Sequence, residues 1–187
     1  MARQSLDKRT RLILTAAKLA HEHGFHSTSL ADIARESDVP LGNVYYYFRT
    51  KEALGEALVE KLAENFASAR ARWDGLPDAT ARLEAFIQMT IDSRESLARS
   101  GCPIGTLCAE LHKEGGPLAE HAAKLFAEML TWLEAQFRAA GLGSESRDHA
   151  VHLLAALQGA SLLTHTFHSA RYVTREASRL KAWVRSL

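Results

Sequence analysis

Three consecutive tyrosines, Tyr45, Tyr46 and Tyr47, stand between the pair Gly42-Asn43 and Lys51 in a chain of 187 residues. Phenolic hydroxyls beside an ammonium group suit an anionic partner, because each of them donates hydrogen bonds to phosphate-type oxygens. The glycine ahead of them lets another molecule approach the backbone, and the asparagine can both donate and accept. A lone tyrosine packs into a helical core as readily as it faces outward. Three on one short segment are poor solvent residues, and they are better explained by a surface that meets a partner.

The elements around them set their direction. Ser29 and Asp32 have the spacing of a capping box and predict a short helix from Ser29 to Ser37. The turn Asp38-Val39-Pro40 follows, and Leu41 to Phe48 reads as a second short helix. Two helices meeting at a tight turn need a small residue at their crossing, an inward apolar turn residue and an apolar pair one turn apart. Ala34, Val39, and Val44 with Phe48 meet those needs. With Val44 and Phe48 inward, Gly42, Asn43 and the tyrosines face outward or sideways. This is the pattern of a helix-turn-helix, whose second helix enters the DNA major groove while neighbouring side chains hold phosphates. Double-stranded operator DNA is the expected partner.

The rest of the chain is predicted to be all-α, since apolar residues recur at spacings of three and four and no stretch alternates like a strand. Helices are expected over about 7–23, stopped by Gly24, and over 50–73. Asp78 is expected to cap a helix to Arg99, and Pro103 to start one to about His112. The segment Gly115-Gly116-Pro117 precedes a long amphipathic helix with Leu118, Ala122, Leu125, Met129, Leu133 and Phe137 on one stripe. Final helices are expected over about 144–169 and 174–187. Two units follow: a three-helix unit with its helix-turn-helix at 1–50, expected to bind DNA, and a larger helical unit at 51–187.

Residues 1–51 hold eight Lys and Arg against five Asp and Glu, a net +3 that leaves −2 for the remainder of a chain with net charge +1. This favours a DNA-facing N-terminal end only weakly. No apolar run approaches the roughly 20 residues of a membrane span, and the start MARQSLDKRTR has no signal-peptide core, so a cytoplasmic protein without a membrane partner is expected. The two cysteines, Cys102 and Cys108, are read as reduced thiols.

The segment from Thr28 to Leu54 resembles the N-terminal domain of the TetR family of one-component transcriptional regulators. The elements are Thr28 and Ser29, Asp32-Ile33-Ala34, Gly42 with Tyr45 and Phe48, and Lys51-Glu52-Ala53-Leu54, with the likeness covering about residues 8–58. Tyr47 stands where many members carry histidine. The resemblance implies that Thr28, Tyr46, Tyr47 and Lys51 touch phosphates, with Ser29 beside them, and that Leu41, Gly42, Asn43 and Tyr45 lie against bases. It also implies that residues 51–187 form a helical ligand-binding and dimerisation domain, in a dimeric repressor released from its operator by a small-molecule effector. The stretch Gly101-Cys102-Pro-Ile-Gly105-Thr-Leu107-Cys-Ala-Glu110 is similar to one found in a subgroup of these regulators, some of which sense electrophiles or small aromatic compounds.

Candidates for an effector pocket are Phe66, Phe86, Met89, Leu107, Phe126, Met129 and Trp132, together with Cys102, which at a helix start could react as thiolate. Each of the apolar ones also suits ordinary core packing. The dimer is expected from the last two helices. There Ala156, Gly159 and Ala160 permit close approach beside Leu163, and Leu180, Trp183 and Val184 form a stripe at the chain's end. The histidine pairs His149/His152 and His165/His168 lack the further ligands of a metal site, and no cofactor is expected. No nucleophile motif or phosphate loop points to catalysis. The alternatives are a helical small-molecule sensor without operator binding and a small all-helical enzyme.

Overall fold

A computed structural model describes residues 7–187; the first six, including the Arg3 counted above, lie outside the described residues. Among the described residues the chain forms ten α-helices and one 3-10 turn, with no strand. Helices α1 (Lys8–His23), α2 (Leu30–Ser37) and α3 (Leu41–Tyr47) form the N-terminal unit. They are followed by α4 (Lys51–Asp74), α5 (Ala79–Asp92), α6 (Arg94–Ser100), α7 (Pro103–Glu114), α8 (Pro117–Ala139), α9 (Ser146–Thr166) and α10 (Arg171–Ser186).

Side chains that satisfy orphan backbone amides set five of the ten helix starts. Asp7 Oδ1 accepts from the Thr10 amide at 3.0 Å, Thr50 Oγ1 from Ala53 at 3.1 Å, and Asp78 Oδ1 from Ala81 at 2.7 Å. Glycines at positive φ end α1 (Gly24), α6 (Gly101) and α7 (Gly115).

Two apolar clusters organise the molecule. Leu12, Ala16, Leu19, Ile33, Val39, Val44 and Phe48 close the first, together with Leu54 and Ala57 from the first two turns of α4. From Leu58 onward the same helix feeds the second cluster, where it meets α5, α7, α8, α9 and α10. A single continuous helix thus joins the DNA-binding unit to the larger helical domain. Gly55 makes this junction tight, since a Cβ there would stand 2.6 Å from Leu118 Cδ2 and 2.9 Å from Phe25 Cζ.

The structure departs from expectation in two places. The single helix expected from Asp78 to Arg99 is broken at Ser93, which both ends α5 and caps α6. Its hydroxyl donates to the Met89 carbonyl at 3.0 Å, the kind of back-bonding that bends a helix. The break turns α6 so that Leu97 packs with Ala160 and Val173. The second departure concerns α10, which starts at Arg171 because the buried Thr164 hydroxyl accepts the Val173 amide at 3.0 Å. Its apolar stripe, including Leu180 and Val184, is buried within the chain against α5 and α9, with Lys181 and Arg185 reaching Gln88 and Glu84. Trp183 packs on Phe137, His149 and His152. Leu180 and Val184 are therefore intrachain core rather than dimer contacts, since α5 and α9 already cover them, while Trp183 is partly buried against α8 and α9. Ala160 is buried too.

Leu180→Ala should accordingly lower the stability of the fold by about 2–5 kcal/mol, as for other buried leucines. Chemical denaturation checks this, and a variant of unchanged stability would put Leu180 back on an intersubunit surface.

Candidate DNA-binding and effector sites

Ser29 builds the start of α2. Its Oγ accepts the Asp32 amide at 3.1 Å while Asp32 Oδ2 accepts the Ser29 amide at 3.1 Å, so the expected capping box is closed at both ends. These bonds from Ser29, with the Arg35 guanidinium beside them, hold the Asp32 carboxyl down at about 2. Asp38, in the left-handed region at φ 53, turns the chain so that Val39 enters the core and Pro40 opens α3.

On α3 only Val44 is buried, with Phe48 just beyond its end. Tyr45 is 52% and Tyr46 81% exposed, and Leu41 and Tyr47 are also open to solvent. The rings of Tyr46 and Tyr47 meet edge to face, 5.1 Å apart. A Cβ on Gly42 would meet nothing within 4 Å, and its φ is not positive, so the chain's own packing does not demand glycine there. The result is an exposed, aromatic, uncharged helix face with a low rim at Leu41-Gly42-Asn43.

Three of the residues expected beside this face are engaged elsewhere. Thr28 is 5% exposed, and its hydroxyl donates to the Gly24 carbonyl at 2.8 Å, which corrects its reading as a phosphate contact. Ser29 spends its hydroxyl on the capping box, donating to Asp32 Oδ2 at 2.6 Å. Lys51 Nζ donates to the His26 carbonyl at 2.7 Å and lies 5.0 Å from the centre of the Phe25 ring. Lys51 thus first ties α4 to the loop between α1 and α2.

The larger domain contains a cavity of about 230 Å³ between α4, α5, α7, α8 and α9. Of the expected pocket residues, Phe66, Phe86, Met89, Cys102 and Met129 line it. Leu107, Phe126 and Trp132 do not. Leu107 belongs to the core on the α1 side, Phe126 packs at the rim of that core, and the Trp132 indole stacks among Phe66, Trp73 and Phe86 while donating to Asp74 Oδ1 at 2.8 Å. The sequence reading missed the polar wall: Thr90 on α5, Ser93 at the break between α5 and α6, Gln158 and Ser161 on α9, and Asn65 at the edge. A glutamine inside the apolar run Leu153–Leu163 was the one available signal.

Helix α7 connects the cavity to the DNA-binding unit. Cys102 caps it, with Sγ accepting the Gly105 amide at 3.4 Å, and Cys102, Pro103 and Ile104 form part of the cavity wall. Just before it, the Gly101 carbonyl lies 2.8 Å from Nε2 of His21 on α1. Two turns further on, Glu110 Oε2 accepts the His26 amide at 3.1 Å, its carboxylate filling the space over Gly24, and Glu114 lies 3.2 Å from His26 Nδ1. His121 on α8 pairs with Glu56 on α4. The resemblance motif therefore has a physical reading, since Gly101 meets α1, Cys102 and Gly105 meet the cavity wall or its Gln158, and Glu110 meets the α1–α2 loop.

A solvent-facing second helix of a helix-turn-helix, joined rigidly to a helical domain with an internal cavity, defines a helix-turn-helix DNA-binding regulator. Residues 12–58 match the family described as bacterial regulatory proteins, tetR family, and residues 79–178 match the C-terminal domain of LmrA/YxaF-like transcriptional regulators. The chain belongs to the TetR family and is a DNA-binding transcriptional regulator, not an enzyme. It is 26% identical over 164 residues to the HTH-type transcriptional regulator LmrA of Bacillus subtilis, covering 86% of this chain and 87% of LmrA. It is 36% identical over 124 residues to the transcriptional regulator AcuR of Cereibacter sphaeroides, an alignment that spans 64% of this chain and 55% of AcuR. A TetR transcriptional regulator structure from Legionella pneumophila superposes with a TM-score of 0.87 at 18% identity, covering 96% of this chain and 98% of that one.

Among the described residues no group of three or more His, Cys, Asp or Glu could hold a metal ion, and no helix is long and apolar enough to cross a membrane. The two thiols differ in access. Cys102 borders the cavity, whereas Cys108 is buried, its Sγ donating to the Ala122 carbonyl, and burial pushes its thiol up to about 11. A maleimide or iodoacetamide should therefore modify Cys102 well before Cys108 in the folded protein, as read by peptide mass spectrometry. Equal rates would contradict this difference in access.

Proposed function

We propose that the protein is a repressor that binds operator DNA as a homodimer, with α3 of each copy in a major groove, and releases it when a small effector enters the cavity. The observation that carries this is the face of α3, three outward tyrosines and a bare Gly42 on a helix whose Val44 and the adjoining Phe48 are buried. Leu41, Gly42, Asn43 and Tyr45 are the proposed base-facing set, and Tyr46 and Tyr47 the phosphate-facing one.

One helix this short reads too few base pairs for operator specificity, which supports a second copy. The surface proposed for it is the outer face of α9 with the start of α10, where Val151, Leu162, Leu163 and Phe167 are exposed and Gly159 has open space above it. Ala156, Gly159 and Leu163 line a groove there with Arg171, Arg175 and Arg179. From the expected dimer residues, Ala156, Gly159, Leu163 and Ala160, which lies at the floor of the groove, stay in the proposal.

Release follows from the double attachment of α7. An occupant pressing on Cys102, Pro103 and Ile104 displaces the helix whose other end grips the α1–α2 loop through Glu110 and Glu114. The effector need only bind the displaced form better than the DNA-bound form.

Tyr46→Ala should weaken binding to the DNA upstream of the protein's own gene by about tenfold, the worth of one good contact. Its thermal midpoint should be unchanged, because the side chain is almost free of the fold. Tyr46→Phe isolates the hydroxyl. Electrophoretic shift or anisotropy titration reads the effect, and wild-type affinity in Tyr46→Ala would remove α3 from the groove.

A further inference from the structure

The cavity wall has a composition that selects by charge. Among the described residues that line it, none carries a formal charge. The body is apolar, built by Phe66, Phe86, Met89, Met129, Leu154 and Leu157. Its volume of about 230 Å³ is below the roughly 300–1,000 Å³ of ordinary ligand pockets, so its occupant is small.

The polar groups are not equivalent. The hydroxyl protons of Ser93 and Ser161 are already spent on the helix carbonyls of Met89 and Leu157. Asn65 is exposed at the edge. This leaves the Thr90 hydroxyl on α5 and the half-buried Gln158 amide on α9, each able to donate and to accept, and of the two it is the amide that stands against α7. Its Oε1 lies 2.8 Å from the point where a Cβ on Gly105 would stand, and Cys102 Sγ lies 3.7 Å from that same point. Gly105, in the first turn of α7, is at negative φ, so its backbone does not call for glycine. What the missing Cβ provides is room for the Gln158 amide against α7.

Resting on the reading of this cavity as the effector site, we propose that it selects uncharged effectors: small, mostly apolar molecules with one hydrogen-bonding oxygen or nitrogen, oriented by Gln158 over Gly105. A carboxylate or ammonium would be desolvated there without a counter-charge. The positive end of the α7 dipole does not reverse this, because a helix terminus offers only a fraction of what desolvating an ion costs. It favours the electron-rich atom of a neutral dipole instead.

Calorimetric titration of the full-length protein at neutral pH with four matched probes tests the proposal: naphthalene, naphthol, naphthoate and naphthylmethylammonium. Naphthol should bind most tightly, and the two ions at least about tenfold more weakly. Gln158→Leu should weaken naphthol by about fivefold and leave naphthalene unchanged, which a merely structural role would not do. Gly105→Ala should also weaken naphthol selectively without lowering thermal stability, since alanine suits a helix better. Met89→Trp, which fills the cavity from its partly exposed side, should abolish binding of every probe. Ions binding as well as naphthol, and blocked by Met89→Trp, would overturn charge selection while leaving the effector site in place. Binding that survives Met89→Trp, or no binding by any probe, would overturn the site itself.

Discussion

Burial of Val44 and Phe48 is the constraint on which the outward face of this protein depends. The two side chains, one turn apart, anchor α3 in the cluster formed by Leu12, Ile33, Val39 and Leu54. Each is worth about 1.5–3 kcal/mol of burial. A seven-residue helix cannot persist on its own, so these anchors fix both its existence and its rotation. Once they point inward, Tyr45, Tyr46 and Tyr47 have no place in the core. The open Gly42 and the aromatic surface are consequences of that rotation.

The second unit depends on the first through two rigid elements. Helix α4 lies in both cores, and α7 touches the cavity with one end and the α1–α2 loop with the other. A displacement at Cys102 need not travel through a chain of side chains, because a twelve-residue helix moves as one body of about 18 Å. His21 on Gly101, just ahead of α7, and Glu110 and Glu114 on His26 are the polar grips of this segment on the N-terminal unit. Their residues are far apart in sequence, so only the fold brings them together.

This marks the limit of what could be read from the sequence. Capping residues and the helix-turn-helix spacing act within a few positions, and Asp7, Ser29, Thr50 and Asp78 stand where the sequence placed them. The break at Ser93 was hidden, because a serine in an otherwise good helix leaves no mark on apolar periodicity. The α10 stripe was legible as a stripe, but which surface covers it is a tertiary matter, and α5 of the same chain does so. Five of eight pocket residues line the cavity because large apolar side chains fill both cores and pockets; Leu107, Phe126 and Trp132 fell on the core side. Thr28 was drawn from a family pattern and Lys51 from its charge beside the tyrosines as well, and the structure gives both a prior engagement with the loop at Gly24 to His26.

The central claim is that two copies of α3 read DNA together. Hydroxyl-radical footprinting of the purified protein on the DNA upstream of its gene tests it most directly. The account predicts two protected half-sites related by two-fold symmetry, their centres about 10 base pairs or a small multiple apart, with protection lost in Tyr46→Ala. A single protected site, or uniform protection that does not depend on sequence or on Tyr46, would contradict it.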